Sequence, residues 1–401
     1  MENAALPVDG RPPDRPGRAA VPEAEETPDV RMPGSPAPGV RHRGGASRWR
    51  ARLLLGVTAA WLVFVVLHHL LSGRFWLWLL PDLVPPMVYL AAPLLLLAAA
   101  PLAGRSRRRW CAALAAVSLV LGAGQSGLDP GALAGGGGSP APAGALRLVS
   151  WNTEYWHQDD DPERFYGFLK DRRADIYVLQ EYMHWVGDDP RQIDDLARLR
   201  REFPGYHVAV DGELVTVSRF PIVATTRVGP ARTLDSRSPW RSAFDLSKVL
   251  RTDVRVGASV LSVYNVHIPT QYMLDENPLT PEFYTRLRDR DARRGAQFRG
   301  LEADLGANRN ATVVTGDFNS TYAMGDLRWL FHRLSSANRA SRRPHLASWP
   351  AGGPALWQLD WTFTSSVGVH RYDLLDPRGM SDHRAQELLV SLGGPGGLPR
   401  P

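Results

Sequence analysis

The sequence predicts an α/β (α+β) domain over residues 146–395, preceded by about three transmembrane helices. Two observations predict it. Three apolar runs stand close together between residues 53 and 124, and from residue 146 to 392 seven short β-branched or apolar runs each stop at a polar residue, with helical stretches between them. A strand written this way buries its body and delivers a polar side chain to its mouth. That is how a sheet presents catalytic groups.

At 401 residues the chain has room for two or three domains. Net charge is +6, but +5 of it falls in residues 1–145, so the C-terminal domain is almost neutral. Apart from Lys170 and Lys248, every basic residue is Arg. A nucleic-acid enzyme would be expected to carry a basic groove, because phosphate contacts supply most of the affinity, and this domain does not advertise one. The single cysteine, Cys111, excludes an intramolecular disulfide.

Residues 1–48 are rich in Pro, Gly, Ala, Glu and Arg with almost no large apolar side chain, and read as a disordered cytoplasmic tail. They do not form a signal peptide, because the first apolar run begins so far in. Residues 49–124 read as the membrane domain. The first run, 53–71, is apolar for about the 20 residues a bilayer requires, with His68 and His69 near its end. A second, 83–102, contains Pro85, Pro86 and Pro93, which lipid-embedded helices tolerate, and Trp76 and Trp78 before it suit an interfacial belt. The third, 110–124, is short and rich in small residues. Arg41, Arg43, Arg48, Arg50 and Arg52 precede the first run, and Arg105, Arg107, Arg108 and Arg109 separate the second from the third, whereas the first turn has only Arg74. Both Arg clusters are therefore expected in the cytoplasm. Three crossings put the rest of the chain on the outer face, on a flexible Gly/Pro/Ala-rich linker at 125–145. A third run that stops short of crossing would leave the domain cytoplasmic.

Within the domain, helical stretches are expected at 161–172 and 191–203. A further Arg-rich helix, 286–299, reads as a solvated face, because Asp289, Asp291 and Glu302 intersperse with its arginines, with contact to an anionic substrate or lipid headgroups as the alternative. The central motif is A-T-V-V-T-G-D-F-N-S, 311–320. As a strand it points Asp317 and Asn319 one way and Phe318 the other. Around it stand L-V-S-W-N ending at Asn152, Y-V-L-Q-E ending at Glu181, V-T-V-S-R-F-P-I at 215–222, S-V-Y-N-V-H ending at His267, Q-L-D-W-T-F with Asp360, and M-S-D-H with Asp382 and His383. A last strand is expected at 384–391, and residues 396–401 read as a second disordered tail.

This ordered set resembles the endonuclease/exonuclease/phosphatase superfamily, the metal-dependent phosphoesterases that include deoxyribonuclease I, abasic-site endonucleases, sphingomyelinases and inositol phosphatases. The resemblance implies a deoxyribonuclease I-like four-layer sandwich, two mainly antiparallel sheets face to face with helices outside, and hydrolysis of a phosphoester or phosphoanhydride with Mg²⁺ or Mn²⁺. It further implies that Glu181 is a carboxylate ligand of the metal, that Asn152 helps hold it, and that Asp382 is a further metal-side carboxylate. Asp317 takes the position that orients or deprotonates the attacking water, and Asn319 the one that hydrogen-bonds the phosphate. Asp360 and His383 match the acid and imidazole that pair at the site. His267 falls where the deoxyribonuclease I and sphingomyelinase branches carry a second catalytic histidine, whereas abasic-site endonucleases place a tyrosine there. Glu154, where the family varies, stays outside this core set.

Three apolar runs followed by such a domain are similar to bacterial teicoplanin-resistance membrane proteins. That likeness implies a multi-pass cell-membrane phosphatase or phosphodiesterase with its catalytic domain extracytoplasmic. Its substrate would be a membrane lipid phosphate such as undecaprenyl pyrophosphate. A membrane-anchored nuclease is the alternative, and a sphingomyelinase-like phospholipase a variant of the first reading. The complete set of polar residues argues against an inactive binding module. Substrate-binding residues stay open.

Overall fold

In the computed structural model, residues 44–393 are described apart from 135, 136, 188, 272, 274 and 275. The tails expected at 1–48 and 396–401 fall outside the described residues, except for 44–48. Fourteen strands are present among the described residues: β1 (Leu146–Asn152), β2 (Ile176–Gln180), β3 (Met183–Val186), β4 (Asp189–Gln192), β5 (His207–Asp211), β6 (Leu214–Ser218), β7 (Ile222–Arg227), β8 (Val249–Val256), β9 (Ser259–His267), β10 (Ala311–Asp317), β11 (Ser335–Ser336), β12 (Asp360–Ser365), β13 (Val367–Leu375) and β14 (Ala385–Leu392). Twelve of them form two six-stranded sheets, ordered β13-β14-β1-β2-β6-β5 and β11-β12-β10-β9-β8-β7, and β3 and β4 form a separate hairpin.

Period-two alternation decides which layer each side chain joins. Leu148, Ile176 and Val178 of one sheet meet Leu261, Val263 and Val313 of the other in a core between the sheets. Their neighbours Val149, Tyr177 and Leu179 point outward and pack on Phe165, Leu169 and Leu199, from α5 (Pro162–Arg172) and α6 (Leu196–Glu202). On the far side Tyr264 and Val314 pack on Phe298 and Leu301 of α8 (Pro281–Ala307) and Leu330 of α9 (Arg328–Arg333). The layers run helix, sheet, sheet, helix, the sandwich that the family resemblance implied.

Helix starts follow local chemistry. The Asp161 carboxylate accepts from Glu163 N, with Pro162 at the first helical position, and Thr280 caps α8 in the same way, before Pro281. The helix expected at 191–203 begins only at Leu196, because Arg191 and Gln192 pair with His184 and Met183 in the β3–β4 hairpin. A short helix, α7 (Trp240–Leu246), precedes β8.

Ahead of the sandwich lie α1 (Gly44–Leu71), α2 (Val88–Ala99), α3 (Gly104–Ala123) and the one-turn α4 (Pro130–Leu133). Two helical runs, Arg48–Leu71 and Val88–Ala123, are long and apolar enough to cross a membrane. The second run joins the apolar segments expected as separate spans, but it folds back at Gly104, whose φ is +73°. Tyr89 and Gly122 then touch, and a β-carbon on Gly122 would lie 2.6 Å from the Tyr89 carbonyl. The segment at 125–145 is pinned rather than free: Asp129 N donates to Pro344 O at 2.9 Å, Gly138 N to Ala340 O at 3.1 Å and Ser139 N to His370 O at 3.0 Å.

Candidate active site

Three adjacent strands end at one level. Asp317, the last residue of β10, pairs in register with His267 of parallel β9 on one side and with Asp360 of antiparallel β12 on the other. In the facing sheet Asn152 ends β1 opposite Gln180, and Glu181 follows at once. The core turns polar as it nears this edge: Gln180 donates to Asn265 at 2.6 Å, and the Asn265 amide donates to the carbonyls of Leu179 and Val215. Gly316 has a φ of +140°, and a side chain there would run into the Val266 carbonyl. Only glycine lets β10 lie so close to β9 at the step before Asp317.

One oxygen, Oδ2 of Asp317, is the centre of the site. It accepts from Asn152 Nδ2 at 3.2 Å and Asn319 Nδ2 at 3.1 Å, while His267 Nε2 and His383 Nε2 each stand 3.7 Å away. Asn152 Nδ2 also donates to Glu181 Oε1 at 3.0 Å, so one amide links the two carboxylates. Asn319 leaves the strand at a φ of +45°, yet its side chain stays beside Asp317, as alternation predicted. Its amide also donates to Ile268 O at 2.9 Å. Both amide protons are thus engaged, and a contact to phosphate requires one of these bonds to give way.

Each imidazole has a buried carboxylate beside its Nδ1, hydrogen-bonded to it in the case of His383. Asp360 Oδ2 is 2.8 Å from His383 Nδ1, and Glu213 Oε1 is 3.1 Å from His267 Nδ1. Burial works against a charged His383, but the Asp360 and Asp317 carboxylates outweigh it and raise its pKa well above the usual histidine value. His267 is raised in the same sense, with Glu213 overcoming the penalty of burial. Burial also works to raise Glu213, yet the Lys248 ammonium bonded to it, with His267, holds it at about 2. For Asp317 and Glu181 burial dominates and pushes both carboxyls up.

Asp382 lies at the rim, 44% exposed, with Oδ1 3.9 Å from His383 Nε2 and Oδ2 accepting from Trp349 Nε1 at 2.7 Å. Glu154 lies next to it, accepting from Asp382 N at 2.6 Å, and burial with the Asp382 charge pushes its carboxyl up to about 7. All eight residues expected at the site therefore converge on one edge.

The donor set suits a hard cation. Among the described residues Glu181 pairs with no Lys or Arg, and Asp360 keeps a buried Oδ1 without a hydrogen-bond partner. Asp317, Asp360 and His383 also bring one ligand atom each within 4.8 Å of the others, a group able to hold a metal ion. Oxygen donors of this kind are what Mg²⁺ and Mn²⁺ take.

The family model described as "Endonuclease/Exonuclease/phosphatase family" matches residues 149–383, which span every strand end at the site. The chain belongs to the endonuclease/exonuclease/phosphatase family. Members hydrolyse phosphoester bonds and are typically dependent on a divalent metal. Similar solved structures include a family protein from Leptotrichia buccalis (13% identity, 62% of this chain and 100% of that one, TM-score 0.45). A 3′ phosphatase, NExo, from Neisseria bound to product DNA hairpin is similar at 17% identity, 62% and 100% coverage and a TM-score of 0.44. So is the human Nocturnin catalytic domain, at 17%, 63% and 96%, and 0.41. No curated protein matches the chain.

Three residues that support the family's site are absent from the sequence expectations. Glu213 sits in the β5–β6 turn, and Lys248 opens the approach to β8; the rarity of Lys in this chain was the one signal for it. Arg294 departs from the solvated reading, which holds for Arg286, Arg288, Arg293 and Arg299 of the same helix. It is buried, and it donates to Ser320 Oγ and Asp326 Oδ2 at 2.6 Å each and to Pro269 O at 2.5 Å. In this way it clamps the loops that follow His267 and Asn319.

Proposed function

We propose that the protein is a membrane-anchored phosphoesterase with an outward-facing catalytic domain, hydrolysing a phosphate ester or pyrophosphate of a membrane lipid of the undecaprenyl pyrophosphate kind. The observation that carries the chemistry is Asp317 Oδ2 set between two imidazoles, each with a carboxylate beside its Nδ1. Asp317 orients and deprotonates the attacking water. His383, kept protonated by Asp360, meets a phosphoryl oxygen, and His267 serves the leaving group. Glu181, together with Asn152 and the rim carboxylate Asp382, would hold Mg²⁺ or Mn²⁺, which would supply charge neutralisation of the phosphate oxygens.

Anchoring and orientation draw support from the helices. Arg50 and Arg52 flank Ala51, which packs with Ala100, Ala103 and Cys111, so the two Arg clusters share one end of the bundle. Val65 and Tyr89 pack with Ala323 of the catalytic domain at the other end. The positive-inside rule then favours three crossings and a domain outside.

The test is the full-length chain in lipid nanodiscs with Mg²⁺, offered undecaprenyl pyrophosphate, sphingomyelin, plasmid DNA and a generic phosphodiester. Release of inorganic phosphate from the lipid pyrophosphate is expected. Cleavage of DNA alone would install the nuclease reading instead.

A further inference from the structure

The loop that follows Asn319 is built onto the end of the membrane helices. His68, near the end of α1, accepts at Nδ1 from Trp78 Nε1 at 3.0 Å. An indole N–H only donates, so the His68 proton is on Nε2, which donates to Ala323 O at 2.9 Å. One turn on, Gly325 N donates to Ser72 Oγ at 2.8 Å, and Arg328 donates to His69 O at 2.9 Å. Gly73 and Gly325 then meet backbone to backbone. A β-carbon on Gly73 would lie 2.7 Å from the Gly325 carbonyl carbon, and one on Gly325 would run into the Ser72 carbonyl. No side chain fits on either face of this contact.

The connector between α1 and α2 continues the seat. Its 3₁₀ turns, Trp76–Leu79 and Pro81–Leu83, lie against the catalytic domain: Trp76, Leu77, Leu79 and Leu80 pack with Phe283 and Leu287 of α8, and Leu83 O accepts from Trp357 Nε1 at 3.0 Å. The domain is thus fixed to the helix ends at several points.

Around this seat large apolar side chains face outward. Leu279 is 89% exposed, and Phe75, Tyr284, Tyr322 and Leu356 are also exposed. Each belongs to a part of the seat: Phe75 to the connector, Leu279 to the segment just before α8 and Tyr284 to its first turn, Tyr322 to the loop with Ala323, Leu356 to the segment beside Trp357. The 24-residue run Arg48–Leu71 rises about 36 Å at 1.5 Å per residue, slightly more than a hydrocarbon core of about 30 Å. The seat at its end therefore lies at headgroup depth.

We propose that this rim is immersed in the headgroup layer of the leaflet where α1 ends, so that the site takes a phosphorylated lipid from that leaflet without lifting its chain out of the bilayer. The proposal rests on the membrane-anchored reading above. What covers the rim is the same bilayer that holds the helices, because the apolar side chains continue directly from their ends. The catalytic groups share this edge: the loops leaving His267 and Asn319 are the ones that Arg294 ties to Asp326, beside the Gly325 contact.

The test uses the full-length chain in a Cys111→Ser background, reconstituted in phosphatidylcholine/phosphatidylglycerol liposomes. Single substitutions Leu279→Cys and Tyr284→Cys carry a spin label, and Ser259→Cys, at the opposite end of β9, is the control. Collision with oxygen, which partitions into lipid, is compared with collision with a water-soluble nickel chelate. A several-fold higher oxygen-to-nickel ratio at 279 and 284 than at 259 is expected. Gly325→Val, which breaks the seat, should bring that ratio down toward the control value. Liposomes that float with the chain but leave 279 and 284 at the control ratio overturn the seating and leave the anchored reading standing. A chain that does not float removes both.

Discussion

At the scale of single residues, Glu181 and Asp317 are both buried carboxylates with raised pKa, yet their surroundings assign them different work. Asp317 Oδ2 is held by two amides and faced by two imidazoles, whereas Glu181 meets Asn152 and the backbone N–H of Tyr155. Glu181→Gln is expected to lose turnover that high Mg²⁺ or Mn²⁺ partly restores, by mass action on a weakened site. Asp317→Asn should lose roughly 10²- to 10⁴-fold, with no rescue by metal and little change in metal affinity. A metal titration of both variants checks this, and rescue of Asp317→Asn alone reverses the roles. The His383 pair fixes a pH dependence. Burial alone would lower its pKa, and Asp360 with Asp317 raises it, so the imidazolium persists below the raised value and is lost as pH climbs through it. Asp360→Asn removes one of the raising charges. The basic limb of the pH–rate profile should then move to lower pH, and an unmoved limb would take His383 out of the acid role. Glu213 gives the opposite sign. Its pKa falls from 4.5 to about 2 on folding, so the stability it contributes is complete above pH 4.5 and is lost as pH falls toward 2. Relative to Glu213→Gln, the native chain should therefore lose stability over that window, on the order of 3 kcal/mol, in acid-dependent denaturant melts.

Elements explain why part of the site was legible and part was not. Asn152, Glu181, His267, Asp317, Asp360 and His383 each lie at or near the end of a strand, so alternation and a terminal polar residue mark them from local sequence alone. The register that sets Asp317 between His267 and Asp360 follows from three strands ending together, which no single motif states. Glu213 in a hairpin turn looks like any solvated acid until the facing sheet brings Lys248 and His267 to it. Arg294 was hidden for a different reason: in a helix crowded with arginines only burial separates it from its neighbours. Its partner Asp326 and the two loops it clamps are 25 to 32 residues away. Arg294→Met leaves the Asp326 carboxylate without its partner, and breaking such a pair costs about 3–5 kcal/mol. A comparable loss in denaturant melts is expected, with exposed Arg288→Met as a control near zero. Equal, small effects of the two substitutions would return Arg294 to the solvated face.

At the scale of the whole molecule, apolar runs and flanking arginines can be read from composition, which needs no fold, and two helical runs of the structure are long and apolar enough to cross a membrane. The attachment of bundle to sandwich was not legible, because Gly73 and Gly325 are ordinary glycines until their backbones meet. Their contact changes how the linker is understood. With the domain seated on the helix ends and Ser139 bonded to His370 through both backbone and side chain, residues 125–145 route the chain and do not set the domain's position. One topological measurement therefore fixes the side on which the catalytic site works. Ser139 is exposed and Cys111 is the sole native cysteine, so Ser139→Cys in a Cys111→Ser background offers a single reporter. Labelling of intact cells by a membrane-impermeant maleimide is expected, because the Arg clusters share the opposite end of the bundle. Labelling only after lysis would place the site in the cytoplasm, and a lipid substrate would then have to be drawn from the inner leaflet.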